Sequence, residues 1–251
     1  MSDEAALRAE MVRVGRLMYE RQLVVAAEGN LSARLGGDRF LVTPAGRCKG
    51  QLADADPLVA DLQGRPADGS PAAARPSSEW RLHREIYAVR PDVAAVCHGH
   101  PPWATAFAAA GQALDGCLLP EVVATLGAVP LAPYATPGTE EVPRAVRDLV
   151  ARHDALLLAN HGVVTVGATL TEAFFRLETV ERLAQVTLLA RLAGGERRLG
   201  AGDVAALRGG GEARPGSAPC VAGGGEPPSG PLDELVEGLV RGILHGMAGR
   251  D

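Results

Sequence analysis

The chain has 251 residues, 47% apolar and 4% aromatic, enough to bury one sizeable core built mainly from Ala, Val and Leu. A formal net charge of −5, with no run of Lys and Arg, excludes an electrostatic footprint for nucleic acid. No apolar segment reaches the roughly 20 residues of a membrane span, and the start Met-Ser-Asp-Glu lacks the basic and apolar parts of a secretion signal. Cys48, Cys97, Cys117 and Cys220 are scattered without a CxxC pair and read as reduced thiols, so a cytoplasmic protein is expected.

In chain order, residues 3–25 carry Leu7, Met11, Val14, Leu17 and Met18 on one side of an amphipathic helix. Gly29-Asn30 turns the chain into a strand, and Arg39–Thr43 reads as the next, closed by Pro44-Ala45-Gly46. A third strand is expected over residues 57–62, then a Pro/Ala/Gly-rich loop to Pro76. Ser77-Ser78-Glu79 opens a helix to about Val89, with serine as N-cap and Glu79 in the first turn. The free amides and positive dipole of such a helix start form an anion site, although a plain cap explains serines equally well.

The apolar run beginning at Val93 reads as a buried strand ending in His98-Gly99-His100. Residues i and i+2 of extended chain share a face, so the two imidazoles can converge. A third histidine, His161, follows the apolar run Ala155–Ala159. Three imidazoles with a position left open suit a catalytic zinc ion. The other histidines are set aside: His83 inside a helix, His153 on an exposed helix end, His245 near the C-terminus. Further helices are expected at residues 102–110, from the cap Thr139 to about Arg152, and at 171–193, with strands at 129–134, 155–159 and 163–166. Helices alternating with adjacent hairpins predict a three-layer α/β/α sandwich with a largely antiparallel central sheet.

Six motifs stand in order: Gly29-Asn30-Leu31-Ser32, Thr43-Pro44-Ala45-Gly46, Pro76-Ser77-Ser78-Glu79-Trp80, His98-Gly99-His100, Ala132-Pro133-Tyr134-Ala135-Thr136 and Asn160-His161-Gly162. Together, over roughly residues 5–207, they resemble the class II aldolase/adducin family, most closely its L-fuculose-1-phosphate aldolase branch. The resemblance implies one Zn2+ per subunit on His98, His100 and His161. It implies that Glu79 is the catalytic acid/base and a further metal contact when no substrate is bound. Gly29, Asn30, Ala45, Gly46, Ser77 and Ser78 match positions that hold a substrate phosphate. The activity implied is cleavage of a ketose 1-phosphate, fuculose 1-phosphate or a related deoxy-ketose phosphate, to dihydroxyacetone phosphate and an aldehyde. The assembly implied is a homotetramer with active sites at subunit interfaces.

Two positions depart from the family pattern. Ala45 stands in place of a hydroxyl-bearing threonine, and the proton-donating tyrosine of the aldolases has no counterpart in Cys117–Val122. Tyr19, Tyr87 and Tyr134 are the only tyrosines, and Glu121 or a C-terminal residue is the candidate replacement. The sugar-phosphate 4-epimerases, dehydratases and decarboxylases of the family therefore remain as alternatives. So does an adducin-like interaction module without catalysis.

Composition divides the chain at its end: a catalytic domain over 1–207, a Gly/Pro-rich flexible linker over 208–231 and an amphipathic helix over 232–249. Leu232, Leu235, Val236, Leu239, Val240, Ile243, Leu244 and Met247 form one stripe on that helix. A helix behind such a linker resembles the encapsulation peptides that route enzymes into bacterial microcompartments, which implies a shell protein as partner. Packing on its own tetramer is the other expectation.

Overall fold

The computed structural model describes residues 4–67, 75–209 and 216–223. A seven-stranded sheet runs in the order β3-β2-β1-β4-β7-β6-β5, with β1 (Asn30–Gly36), β2 (Arg39–Val42), β3 (Leu58–Ala60), β4 (Ala95–Gly99), β5 (Leu131–Ala132), β6 (Ala155–Leu158) and β7 (Gly162–Gly167). Every pairing is antiparallel except β5 with β6. Helices α1 (Glu4–Glu20), α3 (Pro102–Ala109) and α6 (Leu170–Leu192) cover one face, and α2 (Trp80–Val89) and α5 (Glu141–Val150) the other. This is the expected three-layer sandwich.

Strand alternation divides β4 between two cores. Ala95 and Cys97 enter the α1/α3/α6 layer, whereas Val96 enters the α2/α5 layer. β6 and β7 alternate likewise, with Leu157 and Val163 on the first side and Leu156, Leu158, Val164 and Val166 on the second. The central strands are therefore largely apolar and buried on both faces. His98 shares the face of Val96, the one on which α2 packs, and this brings the start of α2 to the histidine end of β4.

Several expectations are corrected. The first helix stops at Glu20, because Gln22 and Ala26 take positive φ in the turn that leads to Gly29. α2 begins at Trp80, not at the serines, and Glu79 is its N-cap without a capping side chain. Cys117 and Cys220 form a disulfide, so reduced thiols are retained only at Cys48 and Cys97. His153 is buried, with Nδ1 3.2 Å from the Ala128 carbonyl.

The linker assignment also changes. Residues 216–223 lie against the domain through bridges Gly116↔Val221, His153↔Ser217 and Gly200↔Gly223, with Cys117, Val123, Ala128 and Cys220 forming a small apolar cluster. Backbone pairing and a covalent link hold a segment that composition alone marks as loose. A short helix not expected from sequence, α7 (Ala201–Leu207), precedes it, and a further one, α4 (Pro120–Thr125), follows Cys117. The stripe at 232–249 and His245 lie outside the described residues. No helix among the described residues is long and apolar enough to cross a membrane.

Candidate metal and acid–base site

His98 and His100 stand at the end of β4, and His161 in the three-residue turn between β6 and β7. Asn160 makes that turn by taking φ of 55°, a left-handed conformation that Asn tolerates better than most residues. Two glycines permit the close approach. A Cβ on Gly162 would stand 2.5 Å from the Gly99 carbonyl oxygen and 2.6 Å from His100 Cδ2. One on Gly29, at φ +67°, would meet Val24 at 2.5 Å and the His98 carbonyl oxygen at 2.7 Å.

The three imidazoles offer ligand atoms that all lie within 4.8 Å of one another. His98 Nε2 and His100 Nε2 are 3.2 Å apart. Tetrahedral coordination with bonds of about 2.0–2.1 Å separates nitrogen ligands by about 3.3 Å, so this donor set fits a zinc-sized cation. His98 Nδ1 lies 2.8 Å from the Val163 carbonyl; donation there fixes the tautomer that turns the Nε2 lone pair inward. His100 Nδ1 is likewise 3.2 Å from Glu28 Oε2. Burial and the charges of His98 and His161 push His100 down to about 4, so it stays neutral and able to coordinate at physiological pH.

Glu79 faces this cage. Its Oε1 is 2.9 Å from His161 Nε2 and its Oε2 3.2 Å from His98 Nε2, while Asn30 Nδ2 donates to Oε2 at 2.7 Å. Burial opposes its ionisation, but the charges and hydrogen bonds of His98 and His161 outweigh that and hold the carboxyl far below its ordinary range. The reciprocal effect raises His98, where burial pulls down and Glu79 and the Val163 carbonyl pull up more. Directing the carboxylate at the histidines rather than at its own helix forfeits a capping bond, which costs α2 about 1 kcal/mol.

The six positions matched to a phosphate are drawn together unequally. Pro44 bridges Pro76, Ala45 N–H donates to the Arg75 carbonyl at 2.9 Å, and Ser77 N–H to the Thr43 carbonyl at 3.3 Å, joining the Ala45-Gly46 and Ser77-Ser78 loops. Ser78, Ala45 and Gly46 are exposed. The helix start is less open than expected: Ser77 Oγ accepts from Glu79 N–H, and the Ser77 carbonyl from Trp80 N–H. Asn30 is the partner of Glu79, a role that its motif alone does not reveal. Glu121 lines a separate groove of about 630 Å³ with Arg21, Trp103, Phe175 and Glu181, and none of the three histidines borders it. Tyr87 is buried against Ser32, Tyr19 packs at Gly50, and Tyr134 is exposed on the loop after β5.

A largely antiparallel sandwich with three histidines and a carboxylate at one end of its sheet defines an α/β protein with a site that could hold a metal ion. The chain belongs to the class II aldolase and adducin family: residues 9–188 match the family described as Class II Aldolase and Adducin N-terminal domain. It is 36% identical over 214 residues to 3-oxo-tetronate 4-phosphate decarboxylase of Escherichia coli K12, covering 82% of this chain and 96% of that one. It is 33% identical over 180 residues to an L-fuculose phosphate aldolase of Methanococcus maripaludis, covering 72% and 95%. The crystal structure of YgbL from Klebsiella pneumoniae superposes with a TM-score of 0.75 at 34% identity, covering 83% of this chain and all of that one.

Proposed function

We propose that this protein is a zinc-dependent lyase that breaks a carbon–carbon bond beside the carbonyl of a phosphorylated sugar, with decarboxylation of a 3-oxo sugar acid phosphate as the reaction. Aldol cleavage of a ketose 1-phosphate is the second reading. Both reactions leave the same triose phosphate enediolate, and they differ in what departs. Aldol cleavage releases an aldehyde, so a base must take the proton of the hydroxyl on the departing carbon. Decarboxylation releases CO2 and needs no base there.

One observation carries the preference. Among the described residues of the protomer, Glu79 is the only carboxylate bonded to two of the three histidines, and no tyrosine stands beside them. A single proton carrier suffices for decarboxylation: Glu79, aligned by Asn30, takes a proton from water and passes it to the enediolate carbon after CO2 leaves. A divalent metal held by His98, His100 and His161 supplies Lewis acidity for the charge that develops on adjacent substrate oxygens. Ser77, Ser78 and the Ala45-Gly46 and Gly29-Asn30 loops take the phosphate, and this fixes the reacting carbon against Glu79. The aldolase reading draws support from the relative of that name.

Zinc-loaded protein is incubated in parallel with 3-oxo-tetronate 4-phosphate and with fuculose 1-phosphate. Dihydroxyacetone phosphate forms from either substrate, so the discriminating signals are CO2 and aldehyde. Aldehyde release at a kcat/KM above that for CO2 release reverses the order of the two readings. Turnover of neither substrate, with no zinc in the purified protein, favours the adducin-like module.

Two assembly expectations accompany this reading. A homotetramer would cover the exposed Tyr19, Phe175, Leu189 and Leu192 and bring the Glu121 groove to a neighbouring subunit, which light scattering tests. Residues 232–249 would recruit the enzyme to a microcompartment shell, which a fluorescent protein carrying only that segment tests in cells that assemble shells.

A further inference from the structure

Of the 25 basic residues in the chain, 24 are arginine, and Lys49 is the only lysine. Among the described residues it is the most buried of the Lys and Arg side chains, only 2% exposed. Lys49 sits in a 3-10 turn, Lys49–Gln51, packed under α1. Its ammonium donates to the carbonyls of Ala27 at 2.8 Å and Arg47 at 2.6 Å. These two carbonyls flank the Gly29-Asn30 and Ala45-Gly46 loops, so Nζ lies between them. Among the described residues no carboxylate comes within ion-pair distance of Lys49, although Glu79 and His98 are close enough to feel its charge. Buried arginines of the chain are treated differently: Arg90 and Arg176 both pair with Asp154.

A buried ammonium without a counter-ion is costly, and proteins normally pair such a charge. An ammonium has three donors, and two are used here. The two carbonyls satisfy hydrogen bonds without neutralising the charge. Burial lowers the pKa of Lys49, and the neighbouring Cys48 and Glu79 raise it. The third donor and the net positive charge are left for an anion that reaches the cleft beside Glu79.

We propose that Lys49 is the counter-charge of the anion pocket between these two loops and binds the phosphate of the substrate. The proposal rests on the phosphate-sugar reading above and deepens it. It also accounts for Ala45, because a cation below the loop replaces the hydroxyl that Ala45 lacks. A compact ammonium suits the space between two backbone turns, where the wider planar guanidinium of arginine does not. Lys49 thereby sets specificity for a dianionic handle.

A chain with one lysine gives a direct readout. Protein labelled with 13C at lysine Cε shows a single side-chain signal, which is followed in the zinc-loaded protein as inorganic phosphate is added. The expected result is a saturable shift, with malonate at equal ionic strength giving a smaller one. Lys49→Met is expected to weaken phosphate binding, measured calorimetrically, at least tenfold and to raise KM more than it lowers kcat. Lys49→Arg should not restore the affinity, because its guanidinium does not fit between the two turns. Zinc content should be unchanged in both variants.

If phosphate binds the wild type and is weakened by Ser77→Ala/Ser78→Ala, but the Cε signal does not move, Lys49 has no such role and the phosphate reading stands. A response to malonate equal to or larger than that to phosphate overturns the assignment to phosphate. Failure of the wild type to bind phosphate removes both readings. Should Lys49→Met not fold, the wild-type Cε titration decides alone.

Discussion

Replacing Gly162 with alanine tests the cage without touching a ligand. The added Cβ would stand 2.6 Å from His100 Cδ2 and 2.5 Å from the Gly99 carbonyl oxygen. Ordinary contact needs about 3.4 Å or more, so ring and backbone must together yield by about 0.8–0.9 Å. A metal site tolerates errors of about 0.2 Å in its bond lengths, several times less than this displacement. We therefore expect zinc affinity to fall at least 10–100-fold, the range produced by disturbing the groups that orient ligands. Overpacking should also lower stability by about 1–3 kcal/mol, a loss of roughly 2–12 °C in Tm for a domain of this size. Metal content after dialysis against a graded zinc chelator measures the first effect, and calorimetry of chelator-treated protein isolates the second. Wild-type zinc affinity in a folded Gly162→Ala protein would refute the claim that this contact holds His100 in place.

Glu79→Gln should retain zinc on the three histidines and lose about 10²–10⁴ in kcat, the usual worth of a positioned proton carrier; loss of the metal instead would reassign Glu79 as an essential ligand. Asn30→Ala removes the donor at 2.7 Å from Glu79 and should cost about 1.5–3 kcal/mol of transition-state stabilisation, read as a 10–150-fold fall in kcat/KM at unchanged zinc content. His83, buried and bonded through Nδ1 to Ser32 Oγ, is pushed down to about 3 by burial and by the charge of His98. The folded state therefore takes its proton less readily than the unfolded chain. Its stability contribution is complete above pH 6.5 and declines towards pH 3 at up to about 1.4 kcal/mol per pH unit. Urea titrations of His83→Gln over that range should show a flatter pH dependence, and an unchanged slope would discount His83. Cys220→Ser opens a link across 103 residues and should lower unfolding free energy by about 2–4 kcal/mol; identical denaturation midpoints with and without a dithiol reductant would show that the link contributes nothing.

The strand-end histidines were legible in the sequence because a strand repeats every two residues: His98 and His100 must share a face whatever else the chain does. Local patterns of other kinds give the continuous apolar runs of β4, β6 and β7 and, through a 3.6-residue period, the long apolar face of α6. His161 was legible only as a candidate, since its distance from the pair depends on β7 lying next to β4, a pairing of residues far apart in the chain, such as Gly99 with Val163. Lys49, Glu28 and the clamp of Asn30 on Glu79 had no sequence signal, for they are contacts between loops. The disulfide and the docking of residues 216–223 were invisible for a related reason. A Gly- and Pro-rich composition reports how little a segment can bury, not what an adjacent surface does to it.

Sequence by itself determined the candidate histidines and carboxylate and the strands that hold the first pair, because periodicity and turn preferences act over a few residues. Tertiary structure decided which of them meet: that the start of α2 reaches the end of β4, that Glu79 turns from its own helix to two histidines, and that the only lysine lies beneath the neighbouring loops. Those outcomes depend on strand order and on burial, which are summed over the whole chain and are written in no single stretch of it.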